Sequence, residues 1–224
     1  MKHDHEKDTK IAIDFIDPLF AVVLHISFVQ IYEHAQWFWQ PRMIFQEPHL
    51  FHVSTLALGY STVILSWIGY HVSMKTCWID VERPSGKWRF FFDVLLLFAY
   101  FVLLVSYEYL RRELWVLAFI FFVFVLWDRA KRIEWQAETT SASAEDKAKS
   151  AARRGVTLLW FFAFFLFALS YQLLAPTPSF PCFHWLILTA AILGTILYRL
   201  HKDKLWWKDR VLVRLDGVLT KLDL

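Results

Sequence analysis

Long apolar runs separated by short polar stretches set the pattern of this chain. About six of them, with roughly 14–23 apolar residues each, are long enough to cross or nearly cross a bilayer. They cover 12–34, 52–74, 90–110, 113–131, 156–174 and 183–200. The fourth has the shortest core, "LWVLAFIFFVFVLW", and needs Arg129 and its neighbours as snorkelling ends. A buried core helix could mimic one such run. Six in 224 residues leave too little polar sequence to coat a soluble globule. The expected fold class is therefore all-α: a polytopic membrane protein of about six transmembrane helices.

Lys and Arg then orient the spans. The first loop carries only Arg42, and the fifth, "APTPSFP", has no basic residue. The second holds Lys75, Arg83, Lys87 and Arg89. The fourth holds Arg129, Lys131, Arg132, Lys147, Lys149, Arg153 and Arg154. The tight third turn has Arg111 and Arg112, and the C-terminal tail is basic again. Positive charge marks the cytoplasmic side, so loops two and four, the tail and both termini are expected there. The N-terminal "MKHDHEKDTK" is mixed in sign and shows no cleavable signal. The expected location is a bacterial cytoplasmic (inner) membrane.

Four parts follow along the chain. Residues 1–136 form an N-terminal membrane block of four spans. Residues 137–155 form a cytoplasmic linker, Ala/Ser-rich, either flexible or a solvated helical extension. Residues 156–201 form a membrane hairpin of two spans, and 202–224 an amphipathic cytoplasmic tail. Leucines 205, 212, 215, 219 and 222 suit an interfacial helix in that tail. "VLVRLDGVLTKL" equally suits a hairpin with an Asp-Gly turn.

Composition adds limits. The chain is 57% hydrophobic and 19% aromatic, with a mean hydropathy of +0.38. Its net charge of +3 needs no nucleic-acid partner, because the basic residues sit where topology wants them. Cys77 and Cys182 fall on opposite sides of the membrane, which argues against a disulfide between them. Trp37, Trp39, Trp78, Trp88, Trp115, Trp127 and Trp185 cluster near span ends as an aromatic belt does. There is no Walker loop, G-x-S-x-G, H-E-x-x-H or dinucleotide fingerprint, and no common potassium-channel filter string. His52 and His71 stand near opposite ends of the second span, and His184 and His201 bracket the sixth. No pair has ligand spacing, so no metal, haem or other cofactor is expected, and no enzyme activity.

Two spans carry further pattern. In the second, Thr55, Gly59, Thr62, Ser66, Gly69 and Ser73 make one helical stripe of small residues, which suits close helix packing. Trp67 and His71 lie beside it. In the first, Asp14, Asp17, Ala21, His25, Phe28 and Tyr32 share one broad face at about 100° per residue, with Glu33 at its outer edge. Charges in a span usually face a bundle interior or a watery path. Asp17-Pro18 also reads as an N-cap followed by a first-turn proline, with the crossing helix starting there. His25 lies inside the run on either reading.

"DFIDPLFAVVL" resembles the first-helix F-S-D signature of the transmembrane protein 175 family, potassium channels of bacteria and endolysosomes. Phe15, Asp17 and Phe20-Ala21 match. "STVILSWIGYHVSMK" resembles that family's second helix through Trp67 and His71, and "WRFFFDVLLLFAYFVLL" its third; the likeness covers roughly 10–110. Ile16 replaces the signature serine, Pro18 a small residue, Ile11 an arginine and Asp93 an asparagine. The resemblance implies a homo-oligomer, favouring a tetramer, that conducts monovalent cations with the first helices lining the pore. It makes Val22 and Val29 the constriction rings. His25 becomes a pore-facing or pH-sensing group and Glu33 a cation-concentrating residue at the mouth. Phe15 and Asp17 hold the inner end against Trp67 and His71.

Two other classes compete. A non-conducting sensor or anchor for a cytoplasmic protein partner, as in a bacterial stress or defence system, would use the basic loop and tail. A carrier would use Asp14, Asp17 and His25 as a proton relay, yet no repeat or broken helix is visible. The discriminators are an oligomer with the first helices on its axis, a closed bundle with acids held in ion pairs, or a cavity within one subunit.

Overall fold

The computed structural model describes residues 2–34, 49–74, 83–138, 144–174 and 181–204. They form six helices: α1 (Lys2–His34), α2 (His49–Met74), α3 (Pro84–Val105), α4 (Leu110–Glu138), α5 (Ala144–Leu174) and α6 (Pro181–Lys204). Among the described residues, four segments are long and apolar enough to cross a membrane: Leu50–Met74, Pro84–Val105, Ala151–Leu174 and Phe183–Lys202. The protein is all-α, and these helices mark it as a membrane protein.

Helix packing runs in a ring. α3 packs on α4, α4 on α5, α5 on α6, α6 on α2, and α2 returns to α3; α1 lies against α3. Successive neighbours run up and down, so α2, α4 and α6 finish at the end where α3 and α5 begin. Outward faces stay apolar: Phe98 is 64% exposed, and Leu166 and Leu186 are exposed as well. A lipid-facing surface is built this way, since the bilayer does not penalise exposed Leu or Phe.

α3 shows how the pattern dictates the core. Pro84 opens it at a position where a missing N–H costs nothing. Buried residues then recur as Gly86, Arg89, Asp93, Leu96, Leu97, Tyr100, Leu103 and Leu104, the three-four spacing of one helix face. The helix ends at Val105, short of the expected 110. Ser106 N–H donates to the Leu103 carbonyl at 3.2 Å, and Tyr109 N–H to the Ser106 carbonyl at 2.8 Å. Hydropathy ran on because Tyr107 and Leu110 are themselves buried in this turn.

The small-residue stripe of α2 lies inside. Thr55 Oγ1 donates to the Tyr107 carbonyl at 2.6 Å, tying α2 to the α3–α4 turn. A Cβ on Gly59 would stand 3.0 Å from Leu104 Cδ2. A Cβ on Gly69 would meet the guanidinium of Arg199 from α6, which lies across the bare backbone.

Three readings change. α1 is continuous through Pro18, so Asp17 does not cap the start of a helix. Residues 144–155 form the start of α5, the helical one of the two forms expected there, and within them Ala151, Ala152 and Arg154 are buried instead of solvated. Trp127 is buried instead of sitting in an interfacial belt, whereas Trp88 and Trp115 are exposed. The fold of the tail, residues 205–224, lies outside the described residues, as do Trp37, Trp39, Trp78 and Cys77.

Candidate functional site

α1 has two faces. Ile16, Phe20, Val23 and Ser27 are buried, at spacings of four, three and four. Phe20 meets Tyr100 at 5.7 Å and Tyr70 at 6.5 Å between ring centroids. The Ser27 and Tyr60 hydroxyls lie 3.2 Å apart. The other face, with Asp14, Pro18, Ala21, Val22, His25, Phe28, Val29 and Tyr32, is exposed on the single chain. Val22 is 47% exposed and Val29 37%. The side chain of Glu33 is outside the described residues.

Asp17 sits at the seam between these faces and α2. Trp67 Nε1 donates to Asp17 Oδ1 at 3.1 Å, and His71 Nε2 lies 3.0 Å from the same oxygen. The Trp67 and His71 rings meet edge to face at 4.8 Å. Phe15 does not join them: its ring packs on Phe90 of α3 at 5.5 Å. Asp17, Trp67 and His71 therefore form one cluster, and Phe15 belongs to the neighbouring α1–α3 contact.

Behind the buried face of α1 lies a cavity of about 280 Å³. One part is apolar, lined by Ile16, Phe20, Leu65, Leu96 and Phe121. The other carries charge from α3, α4, α5 and α6. Here Trp127 Nε1 donates to Asp93 Oδ1 at 2.7 Å. The fully buried Arg89 lies over the Trp127 ring at 4.8 Å, and its Nη2 donates to Met74 Sδ at 3.3 Å. Lys202 Nζ donates to both oxygens of Asp128, at 2.8 and 3.1 Å, and to Tyr198 Oη at 3.0 Å. Thr157 Oγ1 donates to Asp128 Oδ2 at 2.6 Å. Lys131 reaches Ser73. Both cavity acids are thus held by donors, as low-dielectric burial demands.

Asp93, Asp128, Lys202 and Trp127 were not read as a site from sequence. The usable signal was an acid next to or inside an apolar run, "FFFDVLLL" and "VLWDRA". Among the described residues no group of three His, Cys, Asp or Glu side chains could hold a metal ion.

No family model, curated protein or solved structure matches this chain.

Proposed function

We propose that the protein is an oligomeric, potassium-like cation channel, without catalytic activity, whose pore is lined by the outward face of α1. On this reading all six helices span a bacterial cytoplasmic membrane with both termini inside. The resemblance in the first three helices puts the subunit number at four.

The observation that carries the reading is the exposure of His25 between Val22 and Val29, on a face of α1 that no other helix covers among the described residues. An ionisable side chain facing lipid costs several kcal/mol. Turning that face toward copies of itself around a watery axis removes the cost. Val22 and Val29 then form two rings about 10 Å apart along the axis, narrow and apolar enough to gate by dewetting. The Asp17–Trp67–His71 cluster supports the arrangement by fixing the rotation of α1, with Ile16 and Phe20 turned inward.

Potassium flux from liposomes, wild type beside Val22→Ala, tests it. Flux that rises in the variant supports the pore. No flux from either protein, with insertion verified and at several pH values, rejects it.

The second reading is a non-conducting sensor or anchor module for a cytoplasmic partner. Asp93 and Asp128 favour it, since both are closed off by donors inside the bundle.

A further inference from the structure

The cavity changes character along its length. On α2 its lining runs from Thr62 to Val72, and on α4 from Phe121 to Lys131, a depth of about 15 Å at the helical rise. A volume of about 280 Å³ spread over that depth makes a narrow passage rather than a chamber. The deep end, at Phe20, Leu65, Leu96 and Phe121, is apolar. Polar groups at this depth are already engaged: Thr62 Oγ1 donates to the Leu58 carbonyl at 2.8 Å, and the Tyr100 hydroxyl bonds to Ser66. Water at the deep end would lack the two to four polar partners it needs. The other end lies where α2, α4 and α6 finish. There the lining reaches the surface, since Val72 is 48% exposed and Arg153 is half-buried. Asp93 and Asp128 stand between the two ends. Donors of the chain hold each of them, so neither needs a counter-charge from a ligand.

We propose that this passage binds one acyl chain of a membrane lipid, which enters beside Val72 and ends against Phe20, Leu65, Leu96 and Phe121. The mouth sits where the spans end, the depth of lipid headgroups, and the apolar end lies further into the membrane. That order suits an amphiphile whose polar head stays outside while its tail goes in. Moving a tail out of the bilayer changes its apolar surroundings little. The gain comes from the walls, which forgo dispersion contacts wherever they face a gap. The volume is near the lower end for small-molecule pockets, so it takes a single chain and not a whole lipid. Phe20 belongs to α1, so the bound chain becomes part of the bed on which α1 rests. The site stands independently of whether α1 conducts.

The test is photolabelling of the full chain in liposomes. The probe is a phosphatidylcholine that carries a diazirine near the end of one acyl chain, and adducts are mapped by peptide mass spectrometry. Outward residues such as Phe98 and Leu166 label from bulk lipid and serve as the reference. Adducts are expected as well on Phe20, Leu96 or Phe121, which are buried away from the outer surface. Leu65→Trp fills the passage. It should lower those inner adducts roughly tenfold, the change that about 1.4 kcal/mol of lost affinity makes, while Phe98 keeps its level. Leu96→Phe is the second filling variant and replaces the first if Leu65→Trp does not fold. Adducts confined to the outward faces overturn the proposal. So do inner adducts that persist at full strength in the folded filling variants.

Discussion

Asp17 and Trp67, 50 residues apart, share a hydrogen bond of 3.1 Å that joins α1 to α2. His71 shares the same carboxylate oxygen at 3.0 Å. The cluster is about one-third exposed, so its strength is that of a charge-assisted bond discounted for solvent, about 1 kcal/mol. Asp17→Ala and Trp67→Phe should therefore each lower stability modestly. The double variant should lose less than the two together, with a coupling of about 1 kcal/mol in a double-mutant cycle measured by unfolding in detergent. Strict additivity would mean the bond holds nothing.

The exposed face of α1 predicts a cross-linking pattern. On the proposed pore reading, in a chain carrying Cys77→Ser and Cys182→Ser, Val22→Cys should oxidise to a disulfide-linked dimer in membranes, because that reading puts the same residue of a neighbouring copy across the axis. Phe98→Cys, on the exposed side of α3, should stay monomeric on a non-reducing gel. Equal cross-linking at both positions would point to random collision and would remove α1 from the axis.

Asp128 and Lys202 are nearly enclosed and hold each other at 2.8 Å. Taking away one partner leaves an uncompensated charge, so Asp128→Asn or Lys202→Met should each cost about 3–5 kcal/mol. Replacing both together should recover a large part of that loss, read as a partial return of the unfolding midpoint. Two single variants near wild-type stability would show that the pair is well hydrated.

The helical, membrane-crossing character was legible because apolar runs of this length have few other uses. Boundaries were less legible. Pro84 opens α3 six residues before the expected start at 90, because its first turn is polar, and the α3–α4 turn was hidden by Tyr107 and by Leu110 at the start of α4, which are both apolar and buried. Pro18 misled as well. Asp17-Pro18 has the local form of a helix start, but α1 continues through the proline, and the Asp17 side chain is committed sideways to α2. The cavity was illegible for a different reason. Lys131 and Arg153 each read as a topology-setting charge in the fourth loop, and Arg199 lies unremarked inside the sixth run. Only the ring of helices brings the three around Asp93 and Asp128. Trp127 shows the same limit: hydropathy locates a residue along a helix axis and says nothing about which neighbour it faces.

Glu113, in the first turn of α4, is 0% exposed, and neither carboxyl oxygen has a hydrogen-bond partner among the described residues. The N-terminal end of α4 favours an acid there through the helix dipole, but that is worth about 0.3–1 kcal/mol. An unsatisfied buried polar group costs about 1–3 kcal/mol and more when charged. The second effect is larger, so Glu113 opposes folding on balance. Glu113→Met, similar in volume and without oxygens to satisfy, should raise the unfolding midpoint by a few degrees. Glu113→Gln should raise it less, because the amide brings its own unmet donors and acceptor. If Glu113→Met instead loses stability by more than about 1 kcal/mol, the carboxyl has a partner in the assembled protein, and the N-terminal end of α4 becomes the next place to search for it.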